Sequence, residues 1–481
     1  MSTRKALAFS FLDRYAALIL TVVSSMIIAR VLSPSEIGIF SVAMVLVGFV
    51  SAIRDMGAGT YLVQERELTT ERIRAVWTVQ LGMGITLGLA VLIAAAPVAH
   101  FYHESALVDI MLLLALNFMV SPFGSLTYAW LMREMSFGKL AVMRFTGSLT
   151  SALVSVALAL ADLGPVSLAW GSLAATIANA LVAVALRPSH FPWMPIGFSE
   201  IRRVISFGSR ISATSITNSV VYGSPELLLG KFQDMTTVGL YSRSNGLITM
   251  FNKLVMDAVQ SVAMSVFAQE SRAGKDCSDG FIHATAYITV LAWVFFGILA
   301  LFPIPTLRLL YGPQWDSAAP VLQLMAIGMA IGIPAGLCST VMVALGDAAR
   351  VLRTSIHAGI VYISIMACGA AFGLLPIGLS FIAVNVICVV ILLSNTRSVV
   401  GFKWLQLIRG LLPSVFVATA SLSPSFFITL VLDGSNRSVW GLLAGSGLCV
   451  LVFFWACYFF KHPILDELDR IKLNLKKIVA L

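Results

Sequence analysis

The chain has 481 residues, of which 58% are hydrophobic and only 11% charged, and it carries a formal net charge of +9. A soluble domain carries roughly a quarter charged residues, so a water-solvated core is excluded. The basic excess sits in short loops between apolar runs, which is the pattern of membrane topology and anionic headgroups rather than of nucleic-acid binding.

Residues 1–5 are basic, but the apolar stretch behind them is long, contains Asp13 and Arg14, and lacks a small-x-small cleavage site. It reads as a retained first helix over 12–31. The following spans are expected over 37–53, 76–96, 106–126, 141–161, 165–186, 208–230 and 237–258. Six more are expected over 281–302, 318–345, 351–371, 376–396, 410–432 and 439–460. Each can cross a hydrocarbon layer of about 30 Å, giving about fourteen helices. Turn signals such as Leu32-Ser33-Pro34-Ser35 and Tyr311-Gly312-Pro313 separate them.

With the N-terminus placed in the cytoplasm, the inner segments hold Arg54, Arg66, Arg72, Arg133, Lys139, Arg144, Arg202, Arg203, Arg350 and most other cations. The outer loops hold only Lys231, Arg308 and Arg437. A missed helix would invert this bias partway along, and it never inverts. Both termini are therefore expected inside. The cysteines include no C-x-x-C pair, and Cys338, Cys368, Cys388, Cys449 and Cys457 fall in apolar runs. Neither disulfides nor structural zinc are expected.

Residues 29–41 repeat in 230–242 at one constant offset of 201 residues, Arg30 meeting Lys231, Ile37 meeting Val238, Gly38 meeting Gly239, Phe40 meeting Tyr241 and Ser41 meeting Ser242. An even number of helices lies between the copies, so both halves run the same way across the membrane. The expected fold is an all-α polytopic membrane protein with two six-helix lobes (1–200 and 201–400) related by pseudo-twofold symmetry. Two C-terminal helices (401–460) and an amphipathic cytoplasmic tail (461–481) complete it. In the tail, Ile464, Leu468, Ile471, Leu475 and Ile478 oppose Lys472, Lys476 and Lys477, as on a membrane-surface helix.

Helices 1 and 7 are too polar to face lipid, because a charge at the bilayer centre costs about 2.5–3.5 kcal/mol or more. Arg14 and Arg30, with Lys253, are candidate substrate-binding cations. Simpler roles compete: Lys253 can pair with Asp257 one helical turn away, and Arg30 can snorkel to the interface. Arg54 reads as a topology anchor. Pro225 and Pro334 are candidate hinges, since each removes a helix donor. The stretch His100-x-x-His103-Glu104 lacks zinc-protease spacing and is not read as a metal site. No cofactor motif is present, and no loop is long enough for a soluble catalytic domain.

The segment from Ala29-Arg30-Val31-Leu32-Ser33-Pro34 through Ile37-Gly38-Ile39-Phe40-Ser41, with its echo Gly239-Leu240-Tyr241-Ser242, resembles the bacterial polysaccharide flippases. These are the Wzx-like members of the multidrug/oligosaccharidyl-lipid/polysaccharide exporter superfamily. The resemblance implies a protein of the bacterial inner membrane that moves an undecaprenyl-diphosphate-linked oligosaccharide repeat unit between leaflets by alternating access. It also implies partners in polysaccharide assembly, a polymerase and a chain-length regulator among them, and coupling to a proton or sodium gradient, for which Asp13, Glu226 and Asp257 are the candidate ion-coupling groups. A drug or cation exporter of the same superfamily is the alternative, and a glycan polymerase a third. The first would place a carboxylate deep in its cavity, and the second commonly needs a large outward loop.

Overall fold

The computed structural model describes residues 3–54, 58–65, 67–187, 196–431 and 439–465, without the side chains of 3–14, 58, 60, 207–215 and 431. Asp13, Arg14 and most of the expected tail therefore lie outside the described side chains. Among the described residues there is no strand. In hydrocarbon every backbone N–H and C=O must be paired within its own segment, which leaves the helix as the solution for runs this apolar.

Residues 1–239 form one compact unit. Its helices are α1 (Thr3–Val31), α2 (Pro34–Arg54), the short α3 (Ala58–Gln64), α4 (Thr70–Tyr102), α5 (Ala106–Val120), α6 (Pro122–Arg133), α7 (Phe137–Leu160), α8 (Val166–Ala185) and α9 (Ile201–Phe232). The start of α2 is dictated locally. Pro34 takes the first helical position, and Ser33 with Glu36 closes a capping box. Ser33 N and Oγ both donate to Glu36 Oε2 at 2.8 Å, and Glu36 N returns a bond to Ser33 Oγ at 3.3 Å. Helices α1 with α7, α7 with α8, α4 with α5 and α2 with α9 pack side by side.

Residues 240–481 form the second unit. Helix α10 (Met235–Phe251) carries the chain into it. A π-helical turn, Asn252–Met256, follows, then α11 (Asp257–Arg272), α12 (Ser278–Leu301), α13 (Pro303–Leu310) and, after a 3-10 turn, α14 (Ala319–Gly332). A second 3-10 turn, Ile333–Ala335, separates α14 from α15 (Cys338–Ala344). The remainder is α16 (Ala348–Phe372), α17 (Leu374–Val400), α18 (Trp404–Val431) and α19 (Val439–Phe459). In this unit α12 packs on α14 and α18, α14 on α17, and α18 on α19.

Among the described residues ten helical segments are long and apolar enough to span a membrane, and α5 with α6, bent by 50° at their junction, make an eleventh. Helix α1, helix α9 and the run from α10 into α11 coincide with the three other expected spans. The structure adds what hydropathy does not show: the bend after Val120, the short α3 beneath it, and the π turn around Lys253.

A polar cavity at a broken helix in the first unit

The break between α5 and α6 has a covalent cause. Pro122 has no N–H, so the carbonyl of Phe118 loses its helical donor and the axis turns. Helix α4 approaches this turn closely only because position 84 is glycine. A Cβ there would stand 2.6 Å from the Phe118 carbonyl oxygen and 2.8 Å from the Pro122 ring.

A cavity of 480 Å³ opens beside the bend, lined by Arg54 from the end of α2, Gly59 and Val63 from α3, Gln80 from α4, and Ser121, Pro122, Ser125, Tyr128, Ala129 and Met132. Arg54 Nη1 donates to Ser121 Oγ at 3.2 Å, and its guanidinium lies 5.5 Å from the centre of the Phe118 ring. Ser125 Oγ donates to Gln80 Oε1 at 2.7 Å. The phenol oxygen of Tyr128 accepts from Arg144 Nη2 and Nε at 2.7 and 3.2 Å, with the same guanidinium 5.6 Å from the ring centre. Among the described residues the lining thus holds one guanidinium, two hydroxyls, an amide and a phenol, and no carboxylate. Such walls suit an anionic group beside hydroxyl-rich chemistry, since arginine holds phosphate and carboxylate oxygens by paired N–H bonds.

Below the cavity Glu65 gathers cations. Arg203 Nη2 lies 3.2 Å and Arg72 Nη1 3.5 Å from its carboxylate, and Arg133 Nη1 donates to the carbonyl of Leu62 at 3.0 Å and to that of Glu65. Burial, reinforced by Glu65, pushes the Tyr61 phenol up to about 12.

The expected site residues fall elsewhere. Arg30 is exposed at the end of α1, Lys253 is exposed in the π turn, and Asp257 is exposed at the start of α11. Glu226 is only 8% exposed and accepts a hydrogen bond from Ser41 Oγ at 2.9 Å. None of these four lines the cavity. Pro225 sits inside α9, which continues through it, whereas Pro334 lies in the 3-10 break after α14. Arg54 was legible as a charge but not as a wall of a cavity, because that role depends on the bend at Ser121-Pro122. A Ser-Pro pair inside a predicted span was the available signal.

Two further cations have local partners. Lys231 Nζ stands 3.9 Å from the Phe101 ring centre and donates to the Phe101 carbonyl at 3.3 Å, and Arg243 lies over Tyr311 and Trp315 at 5.4 and 5.8 Å. The rings of His100 and His103 are 6.1 Å apart, and among the described residues no group of three or more His, Cys, Asp or Glu could hold a metal.

The second unit has its own cavity, of 650 Å³, with a different lining. Trp293, Phe296, Leu301, Ile327, Ile331, Leu422 and Phe426 dominate it, with Thr419 and Ser423 as its hydroxyls. The Trp293 indole N–H is already satisfied by the carbonyl of Ala330 at 2.7 Å. This lining suits hydrocarbon.

A polytopic membrane protein, helical throughout its described spans and with a cavity that presents polar groups between its helices, belongs to the transporter class in architecture. The pattern of the polysaccharide biosynthesis protein family matches residues 27–320, and the chain belongs to that family. It is 25% identical over 460 residues to the succinoglycan biosynthesis transport protein ExoT of Rhizobium meliloti (strain 1021), covering 92% of this chain and 90% of that one. Against the lipopolysaccharide biosynthesis protein WzxC of Escherichia coli (strain K12) it is 21% identical over 464 residues, covering 94% and 92%. The fold is also that of the lipid II flippase MurJ in an inward closed conformation. That match has a TM-score of 0.77 at 13% identity over 96% of this chain and all of that one. An inward-facing multidrug resistance MATE transporter shares the fold at a TM-score of 0.64 and 11% identity, over 83% and 99%.

Proposed function

We propose that this protein is a flippase of the bacterial inner membrane. It carries undecaprenyl-diphosphate-linked oligosaccharide repeat units from the cytoplasmic to the outer leaflet, for exopolysaccharide, capsule or lipopolysaccharide assembly. The observation that carries the reading is the cavity at the broken helix: among the described residues its lining holds one arginine beside hydroxyl, amide and phenol groups and no carboxylate. A diphosphate needs the cation and a glycan needs the neutral hydrogen-bonding groups. A cation exporter would need the opposite charge in that place.

In this reading both termini are cytoplasmic, and transport runs by alternating access of two lobes, 1–200 and 201–400. Arg54 holds phosphate oxygens, Arg30 and Lys253 are further cationic contacts, and Glu226 or Asp257 couples an ion gradient. A polymerase and a chain-length regulator act on the delivered unit. The relatives that carry transport or flippase in their names support the reading.

The test is a deletion strain in which surface polysaccharide and the leaflet location of the lipid-linked unit are both measured. Units trapped on the cytoplasmic leaflet establish the flippase. Single units that reach the outer leaflet but stay unpolymerised point to a polymerase, and unchanged glycan with altered drug sensitivity points to an exporter.

A further inference from the structure

The segment repeated at 34–41 and 235–242 is not part of either cavity, and the structure shows what its two glycines do. A Cβ on Gly38 would fall on the backbone carbonyl of Met235, with Gly239 N 2.9 Å away, and a Cβ on Gly239 would fall on the carbonyl of Pro34, with Gly38 N 3.2 Å away. The two contacts are the same contact seen from each copy, because Pro34 and Met235 occupy equivalent places in the repeat, as do Gly38 and Gly239. Both helices begin with a cap one residue earlier, Ser33 on α2, and Asp234 on α10 with Oδ1 accepting from Thr237 N at 2.7 Å. The first turns of α2 and α10 therefore meet backbone to backbone, each glycine seating the other helix's carbonyl.

We propose that this reciprocal glycine contact is a latch, closed in this structure and released when α10 changes position during transport. Three features favour a separable contact over ordinary packing. It is made by backbone atoms, so parting the helices requires no side chains to withdraw from holes. Helix α10 runs on through Gly239 and leads the chain from the first unit into the second, so movement of the chain beyond Gly239 pulls directly on the contact. One turn further along α2, Ser41 bonds the buried Glu226 carboxylate, a group that water would reach once the latch parts. On the topology proposed above, the contact lies at the outer side.

The test uses the full-length purified protein with Ile37→Cys as reporter. Ile37 is 3% exposed beside Gly38, and its modification by a maleimide, scored on the isolated peptide, reads opening. Gly38→Ala or Gly239→Ala prevents closure and raises the labelling rate at least about tenfold, with the melting temperature retained. Gly48→Ala, on the same helix with open space around it, changes neither. Unchanged labelling in Gly38→Ala, or a lowered melting temperature without faster labelling, overturns the latch and leaves a static contact.

A second measurement rests on the flippase reading. In cells that make the lipid-linked unit, Ile37→Cys labels faster than in cells blocked in its first sugar transfer, and equal rates overturn the latch as a step of transport. The purified-protein experiment needs no substrate. Failure of the export reading in a deletion strain therefore stays distinct from failure of the latch.

Discussion

Each unit breaks a helix, and the two breaks serve different surroundings. In the first unit, Pro122 bends the α5–α6 pair and the cavity beside it holds Arg54, Gln80, Ser121, Ser125 and Tyr128. In the second, Pro334 separates α14 from α15, the Gly336 carbonyl is taken up by Gln260 Nε2 at 3.3 Å, and the cavity along α12, α14 and α18 is apolar. A proline break supplies an irregular place in a membrane helix; in the first unit the cavity lies at the break itself, where α2 and α4 bring Arg54 and Gln80, whereas the apolar cavity of the second unit is lined along α14 only as far as Ile331, short of Pro334.

The strongest way to break this contrast is to put a charge on the hydrocarbon side. Ala330→Arg, lining the second cavity, is expected to cost about 2.5–3.5 kcal/mol, seen as a marked loss of membrane-inserted protein in a quantitative blot. The converse change removes the charge from the polar side. Arg54→Ala loses a charge-assisted bond of about 1.5–3 kcal/mol, so surface glycan should fall at least about tenfold while insertion is normal. Arg54→Lys, a point charge without the planar fork, should recover only part of it.

A subtler probe separates the units by pH. His462, just beyond α19, is 1% exposed, with Nε2 2.9 Å from Ser414 Oγ and Nδ1 accepting from Ile464 N at 3.2 Å. Burial lowers its pKa to about 4. The neutral ring is favoured in the fold, so the unfolded chain takes up the proton first on acidification. The stabilisation is therefore complete above about pH 6.5 and is lost as pH falls toward 4, amounting to about 1–2 kcal/mol after screening. Melting curves across that window should show the loss in wild type and not in His462→Gln. The smallest effect expected is Ser125→Ala, which deletes the bond to Gln80 at about 0.5–1.5 kcal/mol and should lower export severalfold at most, with the second cavity untouched.

The sequence reading and the structure agree where hydrocarbon alone sets the rule. Among the described residues ten segments are long and apolar enough to span and an eleventh is so as a bent pair, because apolar length is a local property that each run carries by itself. The repeat at 34–41 and 235–242 was also legible, as a pattern without a purpose. The candidate site was less so. Arg30, Lys253 and Glu226 stood out because charge inside an apolar run is conspicuous, yet they do not line the polar cavity, whereas Arg54 at a helix end looked like one more topology charge.

What the sequence determined by itself, then, was the solvent of this protein, the positions of its spans and the existence of its internal repeat, since each follows from composition or spacing along one stretch of chain. Only the tertiary structure decided that Gly38 and Gly239 meet each other across 201 residues and that Arg54 faces Ser121 beside a proline bend. Both facts depend on which helices lie side by side, and in a chain whose helices are nearly all apolar, hydrophobic pattern does not say which neighbour each one takes.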